Sequence, residues 1–95
     1  MLAFQANPFF ERAAGSAERV GFDALIARMK TRAQSFGGPV ALLHGDRHLF
    51  IHDRPFLRSG EPAPQVGHVV RVQTYGSPLL HWVKLTVDPN RPELF

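Results

Sequence analysis

The chain has 95 residues, no cysteine and a formal net charge of +3. That length fits a single domain with one hydrophobic core, and the lack of cysteine excludes disulfides and thiolate metal sites. The 11 Lys and Arg residues are scattered rather than clustered, which argues against nucleic-acid binding. No apolar run is long enough to span a bilayer and the N-terminus lacks the pattern of a signal peptide, so we expect a cytoplasmic protein with no membrane partner.

The first part of the chain predicts a short strand followed by an amphipathic helix. Residues 1–6 are mostly apolar and stop at the turn signal Asn7-Pro8. Ser16 is a suitable N-cap for a helix over residues 17–35, and the glycines at 37–38 supply its C-terminal stop. Spacing of three and four residues predicts one apolar stripe facing a sheet, formed by Phe22, Leu25, Ile26, Met29, Ala33 and Phe36.

A buried strand is predicted next, and it leads directly into a polar turn. The strand is Val40–His44, the turn is His44-Gly45-Asp46-Arg47-His48, and a second strand follows at Leu49–His52. The first strand, the helix and the strand Val40–His44 together have about the right length for a βαβ unit. The sequence leaves open whether the strands before and after the helix are neighbours in one sheet.

The remainder of the chain predicts a Pro-rich surface loop and then a β-hairpin. Residues 68–75 are rich in β-formers, Gly76-Ser77-Pro78 turns the chain, and residues 80–88 alternate between two faces. Residues 93–95 are compatible with a short edge strand. The sequence thus predicts a single domain over residues 1–95 of the α/β (α+β) class, with a mixed sheet, one main helix and a C-terminal β-hairpin.

The polar turn contains the most reactive set of side chains. His44, Asp46 and His48 are plausible ligands of a divalent metal, and Arg47 could pair with a phosphate oxygen. A metal needs three or four ligands, whereas this local spacing supplies two or three. A tight turn with two surface histidines is the alternative interpretation, and the residues alone leave both open.

Other polar positions give less specific signals. Gln5 and Asn7 follow the first strand and would either orient a ligand or cap a turn. His81 with Trp82 fits a half-buried sheet position better than a ligand. Nucleophilic catalysis finds little support, because no serine lies in a Gly-x-Ser-x-Gly turn.

Five stretches follow one another along the chain: Gln5-Ala-Asn-Pro, the helix, Leu42-Leu-His-Gly-Asp-Arg-His, Arg71-Val-Gln-Thr-Tyr-Gly-Ser-Pro and His81-Trp-Val-Lys-Leu-Thr-Val-Asp-Pro. In this order they resemble the C-terminal part of bacterial calcineurin-like metallophosphoesterases, and the resemblance covers essentially the whole chain. The resemblance implies a metallophosphoesterase-like sandwich, of which this chain would form part. In the family's four-layer α/β/β/α sandwich, two metals lie at the strand ends. The resemblance also implies hydrolysis of a phosphomonoester or phosphodiester.

The family's last metal motif, Gly-His-x-His, is similar to Gly45–His48. The resemblance places Asp46 where the first His would stand and His48 at the second, so it implies metal ligands at His48 and Asp46, with His44 in support. Arg47, Asn7 and Gln5 would lie on the substrate side. The implied ion is Mn²⁺, Mg²⁺, Fe or Zn²⁺, and a carboxylate at Asp46 favours a hard ion such as Mn²⁺ or Mg²⁺.

The family's upstream motifs, Asp-x-His, Gly-Asp-x-x-Asp and Gly-Asn-His-Asp/Glu, do not occur in this sequence. We therefore expect the chain to correspond to the second half of such an enzyme, a truncated domain that is inactive by itself. It would meet a phosphoester substrate only when completed by an N-terminal half. The alternative is a non-catalytic interaction module that forms a homo-oligomer or pairs with a separate N-terminal half.

Overall fold

The structure is a computed structural model that describes residues 1–91. It contains one α-helix and a four-stranded mixed sheet, which confirms the predicted α+β class. The edge strand considered at 93–95 lies outside the described residues. In chain order the elements are β1 (Leu2–Ala3), a 3₁₀ turn (Val20–Phe22), α1 (Asp23–Phe36), β2 (Val40–His44), β3 (Ile51–Asp53) and β4 (Val69–Gln73).

The sheet has the strand order β1-β2-β4-β3. Strands β1, β2 and β4 run parallel, and β3 runs antiparallel to β4. One register row crosses all four strands through Leu2, Leu42, Arg71 and Asp53. The two strands that flank α1 are adjacent and parallel, so the predicted βαβ unit is present and the carboxyl ends of β1, β2 and β4 meet at one edge.

Helix α1 ends where the sequence predicts and begins later than it predicts. Gly37 adopts φ 69° and its N–H donates to Ala33 O at 3.1 Å, a left-handed cap that suits glycine. The expected N-cap at Ser16 is wrong, because residues 17–19 form turns and Ser16 Oγ has no hydrogen-bond partner among the described residues. The α-helix starts at Asp23. Within residues 1–91, no helix is both long and apolar enough to cross a membrane.

The hydrophobic core lies between α1 and one face of the sheet. Only part of the predicted stripe enters it, because Leu25 and Phe36 are 45% and 69% exposed. The Pro-rich loop, expected at the surface, contributes Phe56, which is 1% exposed. The buried core residues are Phe10, Ile26, Ala33, Leu42, Phe56, Val66 and Val69.

The predicted C-terminal β-hairpin is wrong. Strand β4 forms as expected, but residues 80–88 form no strand. The reason is topological: β4 already pairs with β2 on one side and β3 on the other, so neither of its edges is open. Residues 80–88 are mostly exposed, with Leu80 at 97% and Trp82 at 80%.

Candidate functional site

The polar turn 44–48 lies at the edge where the parallel strands end. Two backbone hydrogen bonds continue the strand pairing beyond the sheet: Gly45 N–H donates to Gln5 O at 3.2 Å, and Thr74 N–H donates to His44 O at 2.8 Å. The turn is thereby held between the segments that follow β1 and β4. Ligands of open α/β sheets bind outside such carboxyl ends.

The backbone of the turn adopts unusual angles at two of the proposed ligands. Asp46 has φ 81° and His48 has φ 56°, in the left-handed region that residues other than glycine rarely adopt. Both side chains are exposed. The His48 ring packs on Gly76, where an added Cβ would overlap the ring. The absence of a side chain at Gly76 is therefore required for this placement of His48.

His44, by contrast, is buried at the end of β2. It is 3% exposed, stacks on Phe4 with 5.5 Å between ring centroids, and has Phe10 at 6.1 Å. Burial lowers the pKa of His44 below its ordinary value of 6.5, so the ring is neutral at neutral pH. Its Nδ1 lies 3.3 Å from Gly45 O, and in the tautomer that donates there, Nε2 carries the lone pair. That Nε2 is buried without a hydrogen-bond partner among the described residues.

The two polar residues after β1 behave differently from each other. Asn7 is 1% exposed, and its Oδ1 accepts from Phe9 N–H at 3.0 Å, which is a turn-capping role. Its Nδ2 has no partner in the described part of the chain. Gln5 has an exposed side chain and contributes its backbone carbonyl to the turn.

Arg47, the proposed phosphate contact, is engaged within the protein. Its Nη1 donates to Glu11 Oε1 at 2.9 Å, and its guanidinium lies 5.9 Å from the centroid of the Phe9 ring. The side chain is 43% exposed, so other guanidinium N–H groups face solvent.

An ion network centred on the buried Arg71 lies beside the turn and was not predicted from the sequence. Arg71 is 1% exposed and makes a bidentate pair with Asp53, with 2.7 Å from Nε to Oδ1 and 2.6 Å from Nη2 to Oδ2. Its Nη1 donates to Glu11 Oε2 at 3.0 Å. Glu11 therefore joins Arg71 to Arg47. The network contains two guanidinium groups and two carboxylates.

The network changes the acidity of its members. Burial alone would raise the pKa of Glu11, but hydrogen bonds from its own backbone N–H and from Arg71 lower this pKa below 4.5. Burial opposes the charge on Arg71, and the pairing with Asp53 and Glu11 raises the pKa of Arg71 above its ordinary value. The only sequence signal was a lone Arg within the apolar strand Val69–Gln73.

Gln73 is a further buried polar residue that sequence reasoning missed. It is 0% exposed, pairs in register with His44, and donates from Nε2 to Leu49 O at 2.5 Å. Its Oε1 has no partner among residues 1–91. Three buried polar atoms near this edge thus lack described partners: Asn7 Nδ2, His44 Nε2 and Gln73 Oε1.

The predicted metal ligands do not form a complete coordination shell. In residues 1–91, no three or more His, Asp and Glu side chains are grouped so that they could hold a metal ion. His44 is enclosed by aromatic rings, whereas Asp46 and His48 lie at the surface. The turn, as placed here, supplies part of a metal site at most.

Comparison with protein family models, with curated proteins and with solved structures gave no match to this chain.

Proposed function

We propose that this chain is part of a metal-dependent phosphoester hydrolase of the calcineurin-like metallophosphoesterase type. Asp46 and His48 would be metal ligands and His44 would support them. The observation that carries the proposal is the position of the 44–48 turn at the common carboxyl edge of β1, β2 and β4. Positive φ angles at both Asp46 and His48 add support, since strained backbone is concentrated at ligand sites.

The side chains around the turn suit this assignment. A neutral His44 has the protonation state that metals bind, and its Nε2 lacks a described partner. Arg47 retains guanidinium N–H groups beyond the one bound to Glu11, and these suit a phosphoryl oxygen. Asn7 and Gln5 lie after β1 at the same edge. The exposed Gln5 side chain would contact the substrate, whereas Asn7, which is 1% exposed, would hold the adjoining turn in place.

The ligands in this chain do not suffice for catalysis. An ion that activates water must be held by about three or more protein groups, and the described residues bring no such group together. The proposal therefore assigns the remaining ligands to residues outside this chain. We expect the 95-residue chain alone to show no phosphoesterase activity.

Metal affinity tests the ligand assignment directly. Mn²⁺ binding to the full chain should be detectable by electron paramagnetic resonance. His48→Ala should reduce the affinity by more than the roughly 10-fold that loss of a supporting residue costs. His52→Ala removes an exposed histidine on β3 and should leave the affinity unchanged. Equal affinity in the wild type and His48→Ala would refute the assignment. Hydrolysis of p-nitrophenyl phosphate with Mn²⁺, lost in His48→Ala, would refute the expected inactivity.

A second candidate function is that of an interaction module without catalysis. Exposed apolar side chains favour it: Leu80, Trp82 and Val87 are 97%, 80% and 61% exposed. The outer edges of β1 and β3 are also open within the described sheet. The expected partner is a second copy of this chain or a separate N-terminal half.

Light scattering after size-exclusion chromatography tests this second candidate. A dimer should form with rising protein concentration, and Leu80→Asp should dissociate it. Leu25→Asp, at an exposed apolar position on α1, is the matched control and should leave the dimer intact. A compact monomer at all concentrations would exclude self-association.

A further inference from the structure

A cavity of about 660 Å³ lies away from the 44–48 turn. Its walls are the first part of α1, Arg19 ahead of that helix, the segment 10–14 and the loop 58–62. This volume falls within the ~300–1,000 Å³ that is usual for small-molecule sites. No residue of the turn lines the cavity, and Glu11 is the wall residue that connects the two regions through Arg47.

Charged side chains line the cavity unevenly. Four are basic and three are acidic: Arg12, Arg19, Lys30, Arg58, Glu11, Asp23 and Glu61. All three carboxylates already have cationic partners. Glu61 pairs with Lys30 at 2.7 Å, and Asp23 pairs with Arg19 at 2.8 Å. The carboxylate of Glu11 binds two arginines that do not line the cavity.

Arg58 and Arg12 are the two basic wall residues that pair with none of these three carboxylates. Among the described residues, Arg58 forms no ion pair, and its Nη1 is buried without a hydrogen-bond partner. An unmatched buried donor is costly, more so when it carries charge. The carboxylate nearest to Arg12 is that of Glu18, at 3.9 Å, beyond hydrogen-bond length.

The cavity also has an apolar side. Phe10 and Ile26, both members of the hydrophobic core, line it. We propose that this cavity binds a small organic anion. Its carboxylate or phosphoryl group contacts Arg58 and Arg12, and its apolar part lies against Phe10 and Ile26. The site needs no metal and does not depend on the proposed phosphoesterase function.

Titration of the ¹⁵N-labelled full chain by nuclear magnetic resonance tests this proposal. The probes are benzoate and phenylphosphonate, which share a phenyl ring and differ in the anionic group, with EDTA present to remove metals. Either probe should shift the amides of cavity residues such as Ala13, Ala27 and Gly60 in a saturable way. Benzyl alcohol has the ring without the charge and should not.

Arg58→Gln should reduce the affinity for the bound probe by at least about tenfold, as expected for loss of a charged hydrogen bond. Arg32→Gln is the matched control, because Arg32 lies exposed on α1 outside the cavity. If Arg58→Gln does not fold, Arg12→Gln replaces it with the same expectation. Equal losses in the variant and the control, absence of saturable shifts with both anions, or shifts with benzyl alcohol of the same size would overturn the proposal.

Discussion

Arg71 and Glu11 lie sixty positions apart in the chain and meet at 3.0 Å, where Arg71 Nη1 donates to Glu11 Oε2. The contact connects strand β4 to the segment between β1 and α1. Because Arg71 also forms a bidentate pair with Asp53 on β3, one buried guanidinium joins three separate parts of the fold. The network should therefore contribute to stability as well as to the shape of the proposed site.

Arg71→Met should lower the free energy of unfolding by roughly 3 kcal/mol, the lower end of the range for breaking a buried ion pair. The lower end applies because Glu11 and Asp53 are 21% and 29% exposed and can regain water. Urea denaturation measures the change. Arg32→Met, on the exposed side of α1, should stay within about 0.5 kcal/mol of the wild type. A loss below about 1 kcal/mol in Arg71→Met would contradict the buried network.

The lowered pKa of Glu11 predicts a loss of stability in acid. A carboxyl group whose folded pKa is below its unfolded value stabilises the fold fully above the unfolded value, here 4.5. That contribution disappears as the pH falls through the lower folded pKa. Urea unfolding at pH 3–7 should show wild type more stable than Glu11→Gln at pH 7, with the difference vanishing in acid. Glu18→Gln, at a 48% exposed side chain, should follow the wild type; a pH-independent difference for Glu11→Gln would contradict the prediction.

Gly76→Ala should displace the His48 ring, because the added Cβ overlaps it. We expect a small change in stability, since an exposed ring can rotate away, but a clear shift in the His48 imidazole resonances. Mn²⁺ affinity should fall in parallel if His48 is a ligand. Gly21→Ala is the control, because a Cβ there meets nothing within 4 Å. Unchanged His48 resonances in Gly76→Ala would show that the ring does not pack on this glycine.

Two adjacent helix residues test which side of α1 faces the sheet. Ile26 is 3% exposed and Leu25 is 45% exposed. Ile26→Ala should cost roughly 2–5 kcal/mol of unfolding free energy, from lost burial plus the cavity left behind. Leu25→Ala should stay within about 0.5 kcal/mol. Similar losses at both positions, measured by urea denaturation, would mean that the helix is rotated from its described orientation.

Local patterns predicted the elements that depend on local interactions. The apolar run Val40–His44 forms β2, and glycine at position 37 ends α1, because burial and a positive φ are properties that a short segment encodes. The start of α1 was predicted too early, because Ser16 has the side chain of an N-cap but is followed by turns rather than by the α-helix. Residues 80–88 alternate as a strand would, yet a hairpin with β4 needs a free edge on β4, and β2 and β3 already occupy both edges.

The candidate site was predictable only in part, for a related reason. The turn 44–48 was evident because its polar residues are consecutive. The Arg71 network was not evident, because its partners Glu11 and Asp53 come from distant positions and nothing local indicates their proximity. Nor does the sequence indicate that His44 is enclosed by Phe4 and Phe10 while His48 stays exposed.

The central position of β4 has a consequence for how the chain folds during synthesis. Strand β3 pairs with β4 and with no other described strand, so it waits for residues 69–73 before it can form any sheet hydrogen bonds. Strands β1 and β2 can pair earlier, as soon as residues 40–44 have emerged from the ribosome. The sheet is completed only after residues 69–73 have become available, and pairing between strands far apart in the sequence is slow. Until that moment the nascent chain has an open edge on β2, and unpaired strand edges of this kind make folding intermediates prone to aggregation.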